Sequence, residues 1–133
     1  MNILATSKSV CYAGSKHDLV VVVRNAVLSF DDRAAFRIHM RDQMSRFPHM
    51  NVGYVFSLGL PRSSGGRVFN RDGHITYLMS PAGDQLEAFD GRQAEVMTRL
   101  HEEIAKYDDI VLGDYEDTYY NLSRKSVVNY RWM

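Results

Sequence analysis

Arg33, Arg37 and Arg41 recur every four residues. On a helix that spacing places three guanidiniums on one face. Guanidiniums bind phosphates through paired, planar hydrogen bonds, so such a face could hold a diphosphate. The plainer alternative is a solvated stripe whose arginines pair with local aspartates. A second group, Asp114, Glu116 and Asp117, follows an apolar run. Carboxylates placed together there could hold a divalent cation through oxygen ligands. They could equally cap the next helix and interact with its dipole. Asn121-Leu122-Ser123 is a glycosylation sequon, but it falls within an expected helix, and a packing role for Asn121 is the favoured reading. His74 and His101 have no partner at metal-ligand spacing and read as surface histidines. Cys11 is the sole cysteine, which excludes an internal disulfide and a cysteine-rich zinc site.

The elements that must position these residues follow from periodicity. Residues 1–17 are polar and read as loosely ordered. Leu19 to Val23 is apolar at every position and β-branched after its first residue, as in a central strand covered on both faces. A helix opens at Ser29 to Asp32, with Ser29 or Asp31 as cap, and runs to about Phe47, where Pro48 stops it. Phe36, Met40 and Met44 form its apolar stripe. Asn51 to Gly59 is the next strand, completing a βαβ unit that should be right-handed. Residues 60–90 read as a surface insertion: a loop at Pro61 to Gly66, then a hairpin turning at Asn70-Arg71-Asp72-Gly73. Asp90 to Gln93 has the form of a capping box. The helix it opens has Met97, Leu100, Ile104 and Tyr107 on its apolar face, with Glu102 and Glu103 toward solvent. A strand at Asp109 to Tyr115 precedes a last helix from about Thr118, capped by Asp117 or Thr118, with Leu122, Val127, Tyr130 and Met133 near helical spacing. The pattern is an α/β three-layer sandwich with a mostly parallel sheet.

Bulk properties narrow the function classes. The 133 residues carry sixteen basic and sixteen acidic side chains. Zero net charge leaves no electrostatic footprint for nucleic acid or an anionic membrane. Apolar runs are too short for a transmembrane segment, and the N-terminus is too polar for a signal peptide.

Four stretches carry a resemblance. Asp117-Thr118-Tyr119-Tyr120-Asn121-Leu122-Ser123-Arg124-Lys125, with Tyr130-Arg131-Trp132 after it, resembles the D-S-Y-x-N-L-T-x-K…W segment of the beta-1,3-galactosyltransferase family. Tyr107 to Asp114 is similar to that family's Y-x-D-I-[LV]-x-x-D strand. Arg33 to Met40 is similar to its R-x-A-I-R-x-T-W helix, with His39 where the family has Thr and Met40 where it has Trp. Asn51 to Gly59 is similar to its V-x-x-x-F-L-L-G strand.

The resemblance covers residues 19–133, leaving 1–18 as a polar N-terminal segment. It implies a nucleotide-diphospho-sugar transferase-like fold of GT-A type, truncated to the N-terminal part of the catalytic domain. The implied activity is hexosyl transfer, of galactose or N-acetylglucosamine, from a UDP-sugar donor to a glycan acceptor, with Mn²⁺, on the lumenal side of the Golgi membrane. Arg33 and Arg37 are implied to touch the UDP-sugar or shape its pocket, and Lys125 to help hold the donor region. The family's metal-binding D-x-D lies on a later strand, so the chain alone is expected to be nearly inactive. The alternative from another class is a non-catalytic α/β module acting through a partner.

Overall fold

The computed structural model describes residues 2–10, 17–118 and 121–132. Cys11, Tyr119, Tyr120 and Met133 lie outside these residues. The elements follow the order β1 (Ile3–Ala5), β2 (Leu19–Arg24), α1 (Phe30–Arg46), β3 (Val52–Leu60), β4 (Val68–Arg71), β5 (His74–Tyr77), α2 (Ala82–Ala88), α3 (Gln93–Tyr107), β6 (Ile110–Glu116) and α4 (Leu122–Trp132). Four strands form one sheet in the order β1-β6-β3-β2. The pairs β2–β3 and β3–β6 are parallel, with Val22 beside Val55 and Leu58 beside Leu112. β1 adds to β6 antiparallel.

Side chains alternate across the sheet, as strand geometry requires. Phe56, Leu58, Ile110 and Leu112 pack on one face with Phe30 of α1 and Val96 and Leu100 of α3. Val55, Val111 and Tyr115 pack on the other with Val128 of α4. The three-layer α/β sandwich with a mostly parallel sheet is therefore the architecture found. Phe36, Tyr54 and Phe56 meet edge to face, with centroids 5.4–5.8 Å apart, a favoured arrangement for aromatic rings.

Several local expectations are corrected. Among the described residues β2 is an edge strand, not a central one, and its valines are only half-buried. Its unbroken apolar run reflects partial cover on each face. Residues 3–10 are not loose: after β1, the Lys8 and Ser9 amides donate to Asp108, at 2.9 Å each, and Trp132 donates its indole N–H to Thr6 at 2.8 Å. Asp108 takes a left-handed conformation at the end of α3, which an aspartate tolerates better than most residues. Ser29 occupies the cap position of α1 without a capping side-chain bond. The expected box at Asp90 does not form: α3 opens after Arg92, and Gln93 donates instead to the Pro61 carbonyl. The hairpin forms as expected, with its turn at Asp72-Gly73 in positive φ, but the short helix α2 follows it unannounced. On α4 the buried positions are Lys125 and Val128, while Leu122, Val127 and Tyr130 are exposed.

Candidate functional site

The C-terminal ends of β2 and β6 open onto a cavity of about 520 Å³. In parallel α/β sheets ligands bind beyond these strand ends. Arg24 to Leu28 after β2 form one wall, Asp117 and Thr118 after β6 a second, and Leu122 and Lys125 of α4 a third. Leu78 and Ala82, Gln85 and Leu86 of α2 close the remaining side. The lining is mainly apolar with a few polar groups, the usual make-up of a small-molecule site.

Asp117 fastens the strand ends together. Its carboxylate accepts the Val27 amide at 3.1 Å and the Gly59 amide at 2.9 Å. It also pairs with the Lys125 ammonium at 3.2 Å. Lys125 is buried and donates in addition to the Asn25 carbonyl. Burial draws the lysine below its usual pKa, against the opposing pull of Asp117. The carboxylate read from sequence as a helix cap thus ties the loop after β2, the end of β3 and α4 to one another. Asp114 is exposed, and Glu116 is half-buried, 4.0 Å from Arg62. The acidic trio therefore diverges. Among the described residues no group of three His, Cys, Asp or Glu side chains is placed to hold a metal ion.

Arg33 and Arg37 lie behind this wall. Arg33 is wholly enclosed. Its Nε and Nη2 donate to Glu103 at 2.9–3.1 Å, Nη1 to Asn25 Oδ1 and the Ala26 carbonyl at 2.8 Å, and Nη2 to the Val27 carbonyl at 3.0 Å. All five N–H donors of the guanidinium are engaged. Arg33 thus holds the Asn25–Val27 loop that lines the cavity, and has no donor left for a ligand. Arg37 donates to both Asp109 oxygens at 2.7 and 2.8 Å and pairs with Glu103 at 2.8 Å. Arg41, the third member of the stripe, is exposed. Glu103 is buried, not solvent-facing; burial pushes its carboxyl up, but Arg33 and Arg37 outweigh that and hold it below the usual glutamate range. Its place three residues after Leu100 and seven after Val96 was the available signal, because that spacing sets it on the buried stripe.

Asn121 donates its side-chain amide to the Glu116 carbonyl at 2.9 Å, closing the turn before α4. Tyr115 stands between Gly59 and Gly113, either of which would drive a Cβ to within 2.5 Å of the ring. Burial, then the Asp117 charge, push its phenol well above the usual tyrosine range. His74 and His101 are both exposed. No helix is long and apolar enough to cross a membrane among the described residues.

A family model described as Galactosyltransferase matches residues 90–133. The match takes in α3, β6 and α4, and hence Glu103, Asp109, Asp117 and Lys125. It supports a glycosyltransferase-type function. Arg33 and Arg37 fall outside it. No curated protein matches the chain.

Proposed function

We propose that the cavity beyond β2 and β6 receives a UDP-sugar, and that the domain serves hexosyl transfer, of galactose or N-acetylglucosamine, to a glycan acceptor. One observation carries this reading: the segment similar to galactosyltransferases supplies Asp117, Thr118, Leu122 and Lys125 to a cavity at the C-terminal ends of parallel strands. Within the reading, Lys125 and Asp117 keep the strand ends in register, and Arg33 serves the donor by shaping the Asn25–Val27 wall. Arg37 acts one step further back, by holding Glu103 and Asp109 in place. A preformed wall of this kind lowers the ordering cost of binding. Mn²⁺, the glycan acceptor and a lumenal Golgi setting enter from the resemblance alone.

Calorimetric titration of the chain with UDP, UDP-galactose and UDP-N-acetylglucosamine, each with and without Mn²⁺, tests the reading. Saturable binding of a UDP-sugar, weakened by Lys125→Met, is the expected result. A folded chain that binds none of the three overturns it.

A further inference from the structure

Two side chains of the cavity remain unexplained by the fold. Arg24, the last residue of β2, lines the cavity and is exposed. No hydrogen bond or ion pair engages it among the described residues. The nearest charges offset one another: Lys125 is paired with Asp117, so Arg24 leaves the wall with one uncompensated positive charge. Thr118 lines the same cavity, is 8% exposed, and has a hydroxyl with no hydrogen-bond partner among the described residues. A buried hydroxyl without a partner is costly, and it ordinarily marks a place where something else supplies the bond. A cation and a threonine whose buried hydroxyl lacks a partner thus line one chamber from two different walls.

We infer that Arg24 and Thr118 are the direct ligand contacts of this cavity, Arg24 taking the diphosphate and Thr118 a hydroxyl-bearing part of a nucleotide sugar. The inference rests on the reading of the cavity as a UDP-sugar site. It reassigns direct contact away from the arginines of α1, whose geometry leaves Arg33 no free donor. The guanidinium offers the diphosphate a paired, charge-assisted bond. The threonine hydroxyl can both donate and accept, so it suits a sugar hydroxyl, which also does both. The apolar remainder, Val27, Leu28, Leu78 and Leu86, excludes water around these two bonds and strengthens them.

The test is calorimetry on the full chain with UDP-galactose, uridine and inorganic pyrophosphate as probes, applied to Arg24→Gln, Thr118→Val, Thr118→Ser and the remote charge control Arg41→Gln. Arg24→Gln should weaken UDP-galactose and pyrophosphate by about tenfold or more and leave uridine unchanged, since a hydrogen bond to a charged group is at stake. Thr118→Val should weaken UDP-galactose by roughly fivefold, and Thr118→Ser should restore it. Arg41→Gln should match the wild type. If UDP-galactose binds and neither Arg24→Gln nor Thr118→Val changes its affinity, the inference is overturned while the UDP-sugar reading stands. If pyrophosphate binds through Arg24 but UDP-galactose does not bind, the UDP-sugar reading fails and only the anion contact survives. If no probe binds the folded chain, both fail.

Discussion

Replacing Glu103 by leucine should cost more stability than any other single change at the α1–α3 interface. Glu103 accepts from Nε and Nη2 of Arg33 and pairs with Nη2 of Arg37. Arg33 cannot swing into solvent, because it is wholly enclosed and its other donors hold the Asn25 side chain and the Ala26 and Val27 carbonyls. Leucine would therefore leave a buried cation with its counter-charge removed, a loss of about 3–5 kcal/mol. A domain of this size has a total stability of about 5–15 kcal/mol. With a urea dependence of roughly 2 kcal/mol per molar, the unfolding midpoint should fall by about 1.5–2.5 M. Glu103→Gln, which keeps an acceptor but removes the charge, should lie between leucine and wild type. The double variant Arg33→Met, Glu103→Leu should recover part of the loss, since an apolar pair can replace a buried ion pair at little cost. It should not recover all of it, because the three loop acceptors that Arg33 satisfies would still lose their donor. Urea unfolding followed by circular dichroism reads each midpoint. A Glu103→Leu variant within about 1 kcal/mol of wild type would refute the argument, and with it the claim that Arg33 is held in place by its surroundings.

Acid should destabilise the chain through the same residue. Glu103 and Asp108 both have carboxyls held below their ordinary range, Glu103 by Arg33 and Arg37 and Asp108 by the amides of Lys8 and Ser9, each against the upward push of burial. Their contribution is complete above the unfolded values of about 4 and is lost as pH falls through the lower, folded ones. Thermal melts from pH 7 to pH 3 should show a loss concentrated below about pH 4, and the loss should be shallower in Glu103→Gln; equal slopes would exclude Glu103 as a source. Gly59→Ala should cost roughly 1–3 kcal/mol, because its Cβ would lie 2.7 Å from the Tyr115 carbonyl as well as against the ring. An alanine variant with an unchanged melting temperature would show that the two strands can separate locally without penalty.

Elements with a strong local signature were legible in the sequence. The apolar runs of β2, β3 and β6 and the Asp72-Gly73 turn lie where periodicity puts them, whereas the buried residues of α1 are Phe30 and Arg33 rather than the Phe36, Met40 and Met44 stripe. What the sequence withheld was anything set by distant partners. The valine run of β2 says that both faces receive cover, but not that it lies at the edge of the sheet among the described residues. Glu103 stands at the spacing of the buried stripe, but its partner Arg33 lies 70 positions away. Asp117 sits where a cap would sit, yet its amide partners are 58 and 90 positions distant. α2 is only seven residues long and begins beside a proline and a glycine, which read as breakers rather than as a helix. The site was legible in part. Lys125 and Thr118, which the resemblance segment contains, both line the cavity, as does Arg24, which has no motif around it.

The carboxylates of the C-terminal third bear on how portable that third is. Glu103 and Asp109 find their cations on α1, and Asp117 finds its amides after β2 and at the end of β3. A segment beginning at residue 90 would therefore carry three carboxylates with partners outside it, of which only Asp117 also keeps a partner within it, Lys125. Grafted onto another scaffold, it would need a helix bearing two arginines in the same register and two amides at the same height. The stretch matched by the galactosyltransferase family model thus leans on α1 and on the ends of β2 and β3 for these partners.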